Sequence, residues 1–116
     1  MERNLIGRFY FRQTNNGNLI GEFSSNQDES IYTESADKIS TQETSSSNFI
    51  GSYLSTWRLN KKATYSTLII DFKPGSKNHI YSLSWEDNGK CIYRGEGMLC
   101  GDILIGDYRN FECESE

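Results

Sequence analysis

The chain of 116 residues has one proline, one histidine, three cysteines and no apolar run of membrane-spanning length. Each shortage excludes something. An odd number of cysteines, with no Asn-x-Ser/Thr sequon, gives no support to a secreted disulfide framework. Cys91 and Cys100 fall at opposite ends of one expected strand, about 30 Å apart at strand rise, well beyond the reach of a disulfide. The lone His79 stands at the start of a strand after a turn, without a carboxylate at a ligand spacing, so neither a metal site nor a triad is expected. The opening Met1-Glu2-Arg3-Asn4 leads straight into strand-like sequence without a signal-like basic and apolar start, and a reducing cytoplasm is the expected location.

Positive charge is also short. Twelve Lys and Arg face sixteen Asp and Glu, a formal net charge of -4, which argues against nucleic acid or an anionic membrane as partner. No segment carries the 3.6-residue apolar period of a packing helix. No Gly-x-Ser-x-Gly occurs, and Gly95-Glu96-Gly97-Met98-Leu99-Cys100-Gly101 has its third glycine one residue late for a dinucleotide loop. No cofactor is expected.

What is present is aromatic: seven Tyr, six Phe and two Trp, a set that favours strands and a ring-lined interior. Phe49-Ile50-Gly51-Ser52-Tyr53 repeats a device also seen in Leu5-Ile6-Gly7-Arg8-Phe9, Leu19-Ile20-Gly21-Glu22-Phe23 and Leu104-Ile105-Gly106-Asp107-Tyr108. Turn signals at Asn15-Asn16-Gly17, Asn60-Lys61-Lys62, Pro74-Gly75-Ser76-Lys77, Asn88-Gly89 and Cys100-Gly101-Asp102 divide the chain into short alternating runs. Eight strands are expected, at 5–13, 18–25, 30–36, 48–59, 64–72, 79–86, 91–99 and 103–109. Short connections make them an antiparallel meander. The exception is the polar connection Asp37–Asn48, which is either a lid or a solvated loop. Residues 1–111 form the domain, and the acidic residues 112–116 are expected to be a disordered tail.

In each repeat the apolar residue, glycine and aromatic lie two apart and share a strand face. That parity collects Leu5, Gly7, Phe9, Phe11; Leu19, Gly21, Phe23; Phe49, Gly51, Tyr53, Ser55, Trp57; Leu68, Ile70, Phe72; Tyr81, Leu83, Trp85; Tyr93, Gly95, Gly97, Leu99; and Leu104, Gly106, Tyr108. None is charged, whereas the opposite parity carries Arg8, Arg12, Glu22, Arg58, Asp71, Glu86, Arg94, Glu96, Asp107 and Arg109. The third strand fits either parity. The fold expected is all-β, a single-domain eight-stranded antiparallel up-and-down barrel, closed because closure removes exposed edges.

The strand Gly51-Ser52-Tyr53-Leu54-Ser55-Thr56-Trp57, the Gly-x-aromatic strands at Gly7, Gly21 and Gly106, and Tyr93-Arg94-Gly95 resemble avidin strands and, more loosely, those of the wider calycin group of ligand-binding barrels. The nearest description is a short calycin-like bacterial family. In avidins the tyrosine of a Gly-x-Tyr-x-Ser/Thr strand and inward tryptophans contact the ligand, so the resemblance marks Tyr53, Ser55 and Trp85. It departs at the first strand, where Phe9 and Phe11 replace a Trp and a polar ligand-binding residue, and that departure points away from biotin. A lipocalin Gly-x-Trp near the start and a helix near the end are absent too.

An eight-stranded barrel either fills itself or holds one small ligand. The leading expectation is non-enzymatic binding of a small, largely apolar or aromatic ligand, with Tyr53, Ser55, Trp57, Tyr81, Trp85, Tyr93 and Tyr108 lining the site. The alternative for the tyrosines is a place at the barrel mouths with hydroxyls in water. A second function class is an interaction or self-assembly barrel with a filled core, forming a homo-oligomer through outward Ile6, Ile20, Ile50, Ile69, Ile80, Ile92, Ile103 and Ile105. A third is a small barrel enzyme using carboxylates such as Glu22, Glu96 and Asp107 at one rim.

Overall fold

The computed structural model describes residues 5–39, 49–59, 61–77 and 79–111. Eight strands follow one another, β1 (Ile6–Gln13), β2 (Leu19–Ser25), β3 (Tyr32–Lys38), β4 (Gly51–Leu59), β5 (Lys62–Phe72), β6 (Tyr81–Asp87), β7 (Lys90–Cys100) and β8 (Ile103–Asn110). Each pairs antiparallel with the next, and β8 returns to β1 with Tyr108 opposite Gly7 and Leu104 opposite Phe11, closing the barrel. No helix occurs among the described residues, and none is long and apolar enough to cross a membrane. Most of the expected connection 37–48, and the tail 112–116, lie outside the described residues. His79 is exposed between β5 and β6, and Cys91 and Cys100 are free thiols at the two ends of β7.

Turn chemistry explains the tight hairpins. Asn88 and Gly89 both have positive φ, 56° and 79°, as a two-residue turn matching the strand twist requires between Asp87 and its partner Lys90. The inward glycines meet a different need, close approach: a Cβ on Gly7 would stand 2.3 Å from Tyr108 Cζ. The bare backbone of β1 thus accepts the ring of Tyr108 from β8.

The expected inward parity is the buried one through β1, β4, β5 and β6, with Phe9, Phe11, Tyr53, Trp57, Leu68, Ile70, Tyr81, Leu83 and Trp85 in the core. Leu99 is a correction: it is 45% exposed, because β7 reaches the barrel rim there and its next residue is already exposed. Ile92 is another. Trp85 pairs with Tyr93 but Glu86 with Cys91, so Ile92 is the extra residue of a β-bulge. The bulge lets Ile92 pack partly against the core and not on the outer wall. Ile50 likewise packs partly against the core, while Ile6, Ile20 and Ile105 are exposed.

The third strand resolves with Tyr32, Glu34 and Ala36 inward, and this breaks the rule that kept every charge outside. Glu34 is 5% exposed. Ser66, inward on β5 and paired with Ser55, is the one buried side-chain polar group without a hydrogen-bond partner among the described residues. An unpaired buried hydroxyl stabilises nothing. Ser66→Ala is therefore expected to leave the denaturation midpoint unchanged or raise stability by up to about 1 kcal/mol. Ser55→Ala, which deprives Glu34 of a donor, is expected to lower it by about 1–3 kcal/mol in the same urea titration.

Candidate functional site

The barrel interior has two unlike halves. At the end that carries the β1–β2, β3–β4, β5–β6 and β7–β8 connections, Phe11, Leu19, Leu68, Ile70, Leu83 and Leu104 fill the bore. Tyr53 and Tyr81 belong to this half. Tyr53 is fully buried, its hydroxyl donates to Phe49 O at 2.8 Å, and Lys38 Nζ lies 5.2 Å from its ring. Tyr81 packs its ring on Phe72 at 5.0 Å and Phe49 at 6.3 Å. Burial pushes the Tyr53 hydroxyl up to about 12, so it is a neutral structural donor. These two rings serve as the plug.

The other half is hollow. A cavity of about 210 Å³ is lined by Leu5, Phe9, Phe23, Ser25, Gln27, Asp28, Tyr32, Glu34, Trp57, Trp85, Tyr93 and Tyr108. An apolar cavity of about 150 Å³ takes a benzene ring, so this one has room for a substituted ring. Four of the seven expected residues, Trp57, Trp85, Tyr93 and Tyr108, line it. Their rings brace one another, Trp57 on Tyr93 at 6.3 Å, Tyr93 on Tyr108 at 5.8 Å and Trp85 on Tyr108 at 5.9 Å. Most of these contacts are edge-to-face or tilted, the arrangement ring quadrupoles prefer. Phe23 completes the wall against Trp57 and Tyr108 and stacks on Tyr32.

Sequence reasoning missed Glu34. Its Oε2 accepts hydrogen bonds from Ser55 Oγ at 2.5 Å and from Trp85 Nε1 at 2.8 Å. Ser55 is thus beneath the cavity, acting on it through the carboxyl. Oε1 has no hydrogen bond from the described protein and belongs to a residue that lines the cavity. Burial raises Glu34 from an ordinary value of 4.5 to about 7, against the two hydrogen bonds, which favour the charged form. The carboxyl is poised between charge states near neutral pH.

The remaining polar groups sit higher. Tyr108 donates to Ser24 O at 3.2 Å, and burial pushes its hydroxyl and that of Tyr93 upward. Tyr32 donates to Asp28 Oδ2 at 2.6 Å in the segment between β2 and β3. The outer carboxylates take no part in the cavity. Glu22 accepts from Tyr10 at 2.5 Å and Glu96 pairs with Lys73 at 2.8 Å on the outer wall. Among the described residues no group of His, Cys, Asp and Glu is placed to hold a metal. Comparison with protein-family models, curated proteins and solved structures finds no match to the chain.

Proposed function

We propose that this protein is a calycin-like, non-enzymatic barrel that binds a small, ring-bearing ligand in the hollow half of its interior. The observation that carries the reading is a cavity walled by mutually braced aromatic side chains with one buried carboxyl, Glu34, in its lining. Aromatic walls with a few placed polar groups are the usual make-up of a small-molecule site. The filled half gives the walls a rigid base, so the site is formed before a ligand arrives.

The test uses the two tryptophans of the chain, both of which line the cavity. Titration with one- and two-ring compounds is expected to shift both indole N–H signals in a proton–nitrogen spectrum and to quench tryptophan fluorescence saturably. A compound co-purifying with the protein, found by mass spectrometry, would support the same reading. Unshifted indole signals across such a set would remove it.

The self-assembly reading draws support from the outer wall. Tyr10 neighbours Ile105, which neighbours Met98, a lateral row across β1, β8 and β7, and Ile105 and Met98 are exposed. A strict monomer by sedimentation at micromolar concentration would count against it.

A further inference from the structure

The cavity contains a second regularity in the sign of its charges. Of its twelve lining residues two, Glu34 and Asp28, carry carboxyls, and none is Lys, Arg or His. Arg8 on β1 turns its guanidinium to Ser24 Oγ at 3.2 Å and does not line the cavity. Such a lining offers an anionic ligand neutral donors but no cationic partner, and a carboxylate or phosphate would meet the ionised form of Glu34 without a compensating charge.

We infer that the ligand bears a protonated nitrogen, an ammonium or amidinium attached to a flat ring, seated with its N–H on Glu34 Oε1 and its charge among the surrounding aromatic rings. This rests on the reading of the cavity as a ligand site and adds the chemical class. Three features support it. Glu34 has one oxygen fixed by Ser55 and Trp85 and the other without a protein donor, so the ionised carboxyl offers a single acceptor of defined position. Trp57, Trp85, Tyr93 and Tyr108 add cation–π attraction wherever a ring face meets the charge, and it is strongest when water is excluded. Asp28, held by Tyr32 and by the backbone N–H of Ser30 at 2.8 Å, adds negative potential in the lining segment between β2 and β3.

A cation on Oε1 also selects the charged form of Glu34. The other titratable groups lining the cavity are Asp28, Tyr32, Tyr93 and Tyr108, with Arg8 behind Ser24. The tyrosines stay neutral near pH 7 because their values are all raised. The proton that leaves on binding is therefore that of Glu34, about half a proton per ligand at pH 7 for a group near 7.

The experiment is calorimetry and indole N–H titration with 2-phenylethylamine, 2-phenylethanol and 3-phenylpropionate on the wild-type protein and on Glu34→Gln, whose fold is checked by circular dichroism. The amine is expected to bind at least tenfold tighter than the alcohol, and the carboxylate weakest. In Glu34→Gln the amine-to-alcohol ratio is expected to fall to about one. Amine binding by the wild type at pH 7, measured in two buffers of different ionisation enthalpy, should release a proton fraction that Glu34→Gln does not. Equal binding of amine and alcohol by the wild type overturns the charge assignment and leaves the cavity reading standing. An amine preference that persists in Glu34→Gln, or binding without proton release, overturns the role of Glu34. If no probe moves either indole signal, the cavity reading fails and the inference with it.

Discussion

Glu34→Gln is expected to remove a fall in stability that the wild-type barrel shows as pH rises from about 4.5 to about 7. The native carboxyl holds its proton up to about 7, whereas an unfolded glutamate releases it near 4.5. Over that window the folded state binds more protons than the unfolded state, so stability decreases with rising pH and levels off above the native value. The displacement is worth about 3 kcal/mol, because Glu34 is deeply buried and solvent screens it little. Glutamine copies the protonated acid, its carbonyl able to accept from Ser55 and Trp85 and its amide able to take the place of Oε1. The difference between the wild-type and Glu34→Gln curves of unfolding free energy against pH, from urea titrations, isolates this one group. It should favour the variant progressively above about pH 5, and a flat difference curve would contradict the buried, proton-holding state of Glu34.

The second large effect concerns a position with no side chain. A Cβ on Gly106 would stand 1.9 Å from Glu96 O and 2.6 Å from Gly97 Cα. Both obstacles are backbone of β7, so no rotamer change relieves them, and Gly106 is also paired with Phe9 of β1. Gly106→Ala is expected to cost about 3 kcal/mol, the upper end of ordinary overpacking, and to lower Tm by more than about 10 °C. Gly97→Ala is a graded control: its nearest contacts would be Ile105 O at 2.9 Å and the flexible Leu104 Cδ1 at 3.1 Å. Its loss in a thermal melt should be clearly smaller. Equal losses would mean that β7 and β8 separate easily, against the close seam seen here.

These two positions show what one-dimensional pattern carries. The Leu-Ile-Gly-x-aromatic repeat announced Gly106 as inward because strand parity is a local property, readable wherever large apolar side chains alternate with polar ones. β3 has no such contrast: Tyr32 and Ala36 mark one face only weakly, and Ile31, which suggests the other, is exposed just before the strand. Charge then misled, since a rule that keeps carboxylates outside cannot anticipate one held by Ser55 and Trp85 from two other strands. The register of β2 with β3, Phe23 opposite Tyr32, would have fixed the parity, but it depends on a turn whose geometry composition does not specify.

Height along the bore was likewise not legible. Parity separates inside from outside, yet the seven expected site residues share one parity and divide between cavity, support and plug. Trp57, Trp85, Tyr93 and Tyr108 reach the hollow half, Ser55 supports Glu34, and Tyr53 and Tyr81 close the opposite half. That division is set by how far each strand is staggered against its neighbour, a property of barrel closure and not of any single strand. Ile92 escaped for a related reason, since a bulge shifts parity within a run that otherwise looks regular.

The plugged half has one more consequence, for the timing of exchange. With Tyr53, Phe49 and Tyr81 buried across one half of the bore and the lining of the cavity drawn from the other, a ligand of the cavity would arrive and depart through the mouth of the hollow half. Asp28 in the segment between β2 and β3, and Tyr32 at the start of β3, line the cavity at that mouth. A change that only narrows it slows entry and exit by the same factor and leaves the equilibrium constant where it was, so residence time and affinity become separately adjustable.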